Sequence, residues 1–189
     1  GDAQYEKIEN IVLNKLKNMS NHKYIARMQG SASFALEVMI NNFIYGKILI
    51  LRTGIYSDRL LSMSNASKVN FKKIKKIDYV DIKNIDAISK KYDWVMGCPV
   101  ETSVGLKTPI VKLHKLKKRC KAKLALDATA SIGLEVDHEF SDVLAYSSCK
   151  GLFGLTGAAF VAFNSFPNNK INQFNLNIYN HLEKKMTGP

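Results

Sequence analysis

The stretch Asp142-Val-Leu-Ala-Tyr-Ser-Ser-Cys-Lys-Gly-Leu-Phe-Gly-Leu-Thr-Gly157, with Lys150 at its centre, sets the terms on which the rest of the chain is read. Residues 143–146 are a short apolar run of the kind that forms a buried strand. The run stops at Ser147-Ser148-Cys149, small residues that leave room beside the lysine, and Gly151, Gly154 and Gly157 let the backbone turn back closely behind it. No further charge occurs before Lys170. A lysine delivered from a strand end into such a pocket is expected to lose hydration, which lowers the ammonium pKa. A neutral amine condenses with an aldehyde to give a Schiff base. Most loop lysines merely face solvent, and it is the segments upstream that set this one apart.

Those segments alternate between helical and strand patterns. Residues 4–19 place Ile8, Ile11, Val12, Leu16 and Met19 at helical spacing. Small residues at 30–33 then give way to an apolar helix from Phe34, so Gly30 to Ser33 form a helix amino terminus. Its free N–H groups, with the Ser31 and Ser33 hydroxyls, suit a phosphate, although an N-cap without a ligand is the simpler reading of that segment alone. Residues 47–51 read as a buried strand, followed by a loop over 53–58 and a helix from about Arg59, which leaves Tyr56 at a strand's carboxyl end. A weak strand over 77–80, a short helix over 85–91, a strand over 94–97 and a helix opened by Pro109 come next. Residues 123–127 form a strand ending in an acid, Asp127, and 158–163 supply the last strand before a polar, Asn-rich stretch. The alternation predicts an α/β fold: a mostly parallel sheet with helices on both faces, whose one edge collects the loops at Gly30, Gly54, Glu101, Asp127 and Ser147.

The 189 residues, 46% hydrophobic and 23% charged, suffice for one domain with a sizeable core. The net charge of +12 would suit an anionic partner. The lysines are scattered, however, and the basic residues between Lys112 and Lys121 read as a solvated helix exterior, so we do not expect a nucleic-acid partner. Cys98, Cys120 and Cys149 form no C-x-x-C pair, which favours a reducing, cytoplasmic setting. With no apolar run of about eighteen residues and no basic-then-apolar leader pattern, neither a membrane span nor a signal peptide is expected.

Five pieces now stand in order: Gln29-Gly-Ser-Ala-Ser-Phe-Ala-Leu-Glu37, Gly54-Ile-Tyr56, Glu101-Thr-Ser-Val-Gly105, Asp127-Ala-Thr-Ala-Ser-Ile-Gly133 and Ser147-Ser-Cys-Lys150. Together they make the sequence resemble the class V branch of the fold-type I pyridoxal-phosphate (PLP) enzymes, nearest to the 2-aminoethylphosphonate:pyruvate and alanine:glyoxylate transaminases. The resemblance implies an aspartate aminotransferase-like large domain. It also implies transfer of an amino group from a small amino compound, such as 2-aminoethylphosphonate or an amino acid, to a 2-oxo acid such as pyruvate. By it, Lys150 would hold PLP as a Schiff base and move the substrate proton, and Asp127 would pair with the pyridine nitrogen. Tyr56 would stack on the ring, Ser31, Ala32 and Ser33 would bind the phosphate, Thr102 would sit near the ring hydroxyl, and Ser147 or Cys149 would add a phosphate contact. A homodimer is implied as well, without a metal.

The chain also departs from that pattern. Asp127 and Lys150 stand a few residues closer than in the family, which predicts a short or distorted helix between them. Residues 1–189 are expected to be the PLP-binding large domain without the family's amino-terminal segment and carboxy-terminal small domain, the latter being the source of the substrate-binding arginine. Ser-Ser-Cys-Lys-Gly is also similar to the cysteine desulfurase branch, so a lyase of that type is an alternative. A non-catalytic, truncated PLP-fold binding module is another.

Overall fold

The computed structural model describes residues 3–168 and 171–182. In chain order the elements are α1 (Ala3–Ser20), β1 (Tyr24–Gln29), α2 (Ala32–Phe43), β2 (Gly46–Arg52), α3 (Ile55–Phe71) and β3 (Ile74–Asp81), then β4 (Trp94–Gly97), the hairpin of β5 (Val100–Glu101) and β6 (Leu106–Lys107), α4 (Ile110–Cys120), β7 (Lys123–Asp127), β8 (Val143–Ser147) and β9 (Ala158–Phe163). A seven-stranded sheet runs in the order β1-β9-β8-β7-β4-β2-β3. Strands β3, β2, β4, β7 and β8 pair in parallel, whereas β9 runs against both its neighbours, β8 and β1. The carboxyl ends of the parallel strands therefore meet along one edge, where open α/β sheets bind ligands.

Alternation along the strands builds two cores. On β2, Ile48 and Ile50 face α2 and Leu60 of α3, while Leu49 and Leu51 face the layer containing α4 and Leu13 and Leu16 of α1. Strands β4, β7 and β8 repeat this split, which is why they read as continuous apolar runs: both sides of each strand are covered. The expected mostly parallel sheet with helices on both faces is the observed architecture.

Several local expectations are corrected. The apolar stripe of α1 is only partly covered by the described residues: Leu13 and Leu16 are buried, but Ile8, Ile11, Val12 and Met19 stay largely exposed. Strand β1 was not foreseen, because an edge strand carrying Arg27, paired with Glu9 at 2.6 Å, lacks a clean period-two pattern. The predicted helix over 85–91 is instead a 3-10 turn at Ile82–Ala87. Between Asp127 and Lys150, where a short or distorted helix was expected, the chain has turns, one short 3-10 segment, His138–Phe140, and β8, with no α-helix.

The start of α3 is the most consequential correction. The helix begins at Ile55, four residues before the expected start, and so carries Tyr56 in its first turn. The Ser57 hydroxyl accepts from the Thr53 and Gly54 N–H groups, and the Glu101 carboxylate accepts from Tyr56 N and Ser57 N. The part of the cap that Glu101 supplies from far along the chain leaves no local signature.

Candidate active site

A cavity of about 190 Å3 opens at the carboxyl edge of the sheet. Its lining includes every residue singled out from the sequence: Ser31, Ala32, Ser33, Tyr56, Thr102, Asp127 and Lys150, with Ser147 and Cys149 beside them. They arrive from five strand ends, those of β1, β2, β5, β7 and β8. Asp127 closes β7, Ser147 closes β8, Ser31 is the N-cap residue of α2 after β1, and Thr102 follows β5.

Asp127 is the buried pole of the cavity, 5% exposed. Its Oδ1 accepts from Thr129 N at 3.1 Å and from Thr129 Oγ1 at 2.5 Å, an Asx turn that fixes the carboxylate at the strand end. Burial raises its proton affinity, the two Thr129 bonds oppose that, and the negative charge of Glu101 adds to the rise. Asp127 lines the cavity, and among the described residues the hydrogen bonds given to its carboxylate both fall on Oδ1. Cys98, also in the lining, is kept as a thiol, because burial and the charges of Asp127 and Glu101 push its proton affinity up.

Lys150 forms the other pole, and its setting differs from the expected dry pocket. The lysine is exposed, because the glycine-rich loop that follows has little to cover it with and turns Phe153 and Leu155 outward, 81% and 91% exposed. Lys150 Nζ donates to the Tyr56 hydroxyl at 3.0 Å and lies 4.6 Å from that ring's centroid. The Tyr56 phenol is accordingly more acidic than usual, first through the bond from Lys150 and then through the influence of the Thr102 side chain.

The amino end of α2 closes the third side. Ser31 makes no side-chain cap, and among the described residues its hydroxyl and the N–H groups of Ala32 and Ser33 find no hydrogen-bond partner, while Phe34 N and Ala35 N donate to Ser31 O; all three residues, 31 to 33, line the cavity. Sequence reasoning missed Arg59 here: its Nη1 donates to Ser33 Oγ at 3.0 Å, and its guanidinium lies 5.2 Å from the Tyr56 ring. The i, i+3 spacing of Tyr56 and Arg59 would have exposed it had the helix start been placed at Ile55. Thr129 was legible as the second residue after an aspartate, an Asx-turn signal.

Two backbone contacts join these walls. Gly30 N donates to Gly157 O at 2.9 Å, tying the α2 terminus to the end of the lysine loop, and Gly151 N donates to Thr129 O at 3.1 Å, tying that loop to the Asp127 turn. Gly151 packs so closely on the Ile132 carbonyl that a Cβ has no room there.

A family model described as aminotransferase class-V matches residues 2–177. Over 177 residues the chain is 29% identical to the bifunctional phosphonoacetaldehyde hydrolase/aminoethylphosphonate transaminase of Clostridioides difficile (strain 630), covering 86% of this chain and 28% of that protein. It is 29% identical over 144 residues to the 2-aminoethylphosphonate–pyruvate transaminase of Pseudomonas aeruginosa, covering 71% of this chain and 39% of that one. The chain thus spans less than half the length of these curated relatives. Among solved structures, the aspartate aminotransferase of subgroup IV from Thermus thermophilus superposes with a TM-score of 0.74 at 17% identity, covering 87% of this chain and 50% of that one. The cysteine desulfurase from Thermococcus onnurineus NA1 gives 0.67 at 20% identity, covering 86% and 45%. At such identities the likeness speaks for the fold alone, an aspartate aminotransferase-like α/β fold.

Proposed function

The chain belongs to the class-V aminotransferase family, a family of pyridoxal-phosphate enzymes, and on that premise we propose that it is the cofactor-binding domain of a transaminase. The amino donor would be a small amino compound, 2-aminoethylphosphonate or an amino acid, and the acceptor a 2-oxo acid such as pyruvate. The observation that carries this reading is the meeting of three groups in one cavity: a buried carboxylate, a primary amine and the open amino end of a helix.

The residues fit the cofactor. A buried carboxylate whose hydrogen bonds fall on one oxygen can take a cation or an N–H group on the other, and a protonated pyridine offers both. When bound, PLP supplies an aldehyde for a lysine and a ring that accepts electrons from the substrate carbon. Asp127 would keep the proton on the ring nitrogen. Lys150 would hold the aldehyde carbon and, once released from it, take and return a proton at Nζ, with the Tyr56 hydroxyl holding that amine in place. Ser31, Ala32 and Ser33 would receive the phosphate on hydroxyl and N–H donors, with the Arg59 charge behind Ser33. Thr102 would stand by the ring hydroxyl, and Ser147 and Cys149 would flank the phosphate end.

A homodimer in the cytoplasm belongs to the same reading. Phe153 and Leu155 offer exposed apolar surface on the lysine loop, and the three cysteines are free. Among the described residues no helix is long and apolar enough to cross a membrane, and no cluster suits a metal ion.

The test is a borohydride trap. Under saturating PLP the chain should develop a visible band near roughly 410–430 nm, and reduction should fix the adduct on Lys150, as mapped by peptide mass. An adduct on another lysine, or none, overturns the assignment. Because Lys150 is open to water, turnover of 2-aminoethylphosphonate with pyruvate by this chain alone should be far below that of a full-length family member.

A further inference from the structure

Glu101 has no place in the roles assigned above, yet it is wired more densely than any of the residues that do. Its side chain is fully buried, at 0% exposure. Oε2 accepts from Thr53 Oγ1 at 3.2 Å and from Ser57 N at 3.3 Å; Oε1 accepts from Tyr56 N and Ser103 N, each at 3.4 Å, and from Ser103 Oγ. Among the described residues no cation pairs with it. The charge is met instead by N–H and O–H donors and by the positive end of α3. Gly54 lies against the same carboxylate, since a Cβ there would meet Glu101 Cγ at 2.8 Å.

These contacts lead to the lysine. Glu101 holds the Tyr56 backbone, the next residue in the chain is Thr102, which lines the same cavity as Tyr56, and the Tyr56 phenol receives Lys150 Nζ. We propose that Glu101 is a positioning residue of the site: it fixes the first turn of α3 against the β5–β6 hairpin, so that Tyr56 and Thr102 stand at set places opposite Lys150. Its bearing on the cofactor rests on the reading of the previous subsection, but its bearing on Tyr56 does not.

The experiment compares the full chain with Glu101→Gln, which keeps the shape but turns an amide NH2 toward two of the donors. Hydrogen exchange at the Tyr56 and Ser57 amides should quicken by about ten- to a hundredfold, the loss of a bond to a charged acceptor. The Tyr56 phenol should become less acidic as it drifts from Lys150 and Thr102. That change is read as phenolate absorbance against a Tyr56→Phe blank, with Lys150 and Arg59 the charged groups facing the ring. PLP dissociation, followed by its visible band, should quicken in step. Folded Glu101→Gln protein with parental exchange at both amides and a parental phenol titration overturns the proposal. If that variant does not fold, the Thr53→Val/Ser103→Ala pair decides instead: it strips the hydroxyl donors and should shift the same two readouts in the same direction, and unchanged values overturn the proposal. A parent that binds no PLP, but whose exchange and titration respond as stated, leaves the positioning standing and removes the cofactor reading. The reverse pattern does the opposite.

Discussion

The two strand ends that carry the chemistry are built in opposite ways. Asp127 sits at the end of β7 in the core, 5% exposed, with its Oδ1 locked by Thr129 and its charge costly to bury. Lys150 rides an open loop after β8, exposed, with Tyr56 as its hydrogen-bond partner. The difference follows from the chemistry each end is proposed to do. A carboxylate that stabilises a ring cation acts most strongly where water is excluded and should not move. A lysine that forms and releases a bond needs room to swing. The glycines that grant that room also leave it uncovered.

The comparison breaks most sharply with Lys150→Ala. The trapped adduct should vanish completely, while stability stays within about 0.5 kcal/mol of the parent, as for most exposed sites; urea titration checks the second half. A large loss of stability would mean that the loop is part of the core after all. Asp127→Asn should do the reverse. In the proposed transamination it should cost roughly a hundredfold or more in rate, yet the fold should gain stability. Here the sign follows from burial: the folded-state pKa of Asp127 is raised, so the ionised form costs stability above that pKa, and the cost fades as pH falls through it toward the unfolded value. The advantage of Asp127→Asn in thermal melts should therefore be greatest at high pH and disappear in acid. An advantage that grows in acid would contradict the buried-charge account.

Two smaller changes sharpen the relation between the regions. Gly151→Ala forces a methyl against the Ile132 carbonyl at the seam where the lysine loop meets the Asp127 turn. We expect a loss of about 1–3 kcal/mol in denaturant titrations and slower adduct formation with Lys150 itself intact. Thr129→Val removes one of the two bonds on Asp127 Oδ1, leaving the backbone donor. The Asp127 pKa should rise further, seen as a shift of the stability–pH curve toward higher pH, and the stability change should be about 1 kcal/mol.

Much of this was legible in one dimension. The strands β4, β7 and β9 coincide with the apolar runs read from the sequence, because a strand buried on both faces has no solvent side to disguise it. Asp127 and Lys150 stood out because a charge at the end of such a run has little structural reason to be there. Elements whose stability comes from elsewhere in the chain were misread. Strand β1 depends on β9, more than a hundred residues later in the sequence, and the first turn of α3 depends on Glu101. Missing that turn hid Arg59, whose place beside Ser33 follows only from the helical register.

The sequence by itself determined most of the alternation of strands and helices, the edge at which the candidate residues gather, and which acid and which amine line the cavity there. Periodicity, glycine placement and charge at strand ends are local properties, and each is decided within a few residues. Only the tertiary structure decided that the carboxylate is buried and the lysine exposed, that Tyr56 opens a helix rather than sitting in a loop, and that a fully buried Glu101 holds that helix in place. Burial and capping from a distance depend on which surfaces the folded chain brings together, and no short window of residues contains that information.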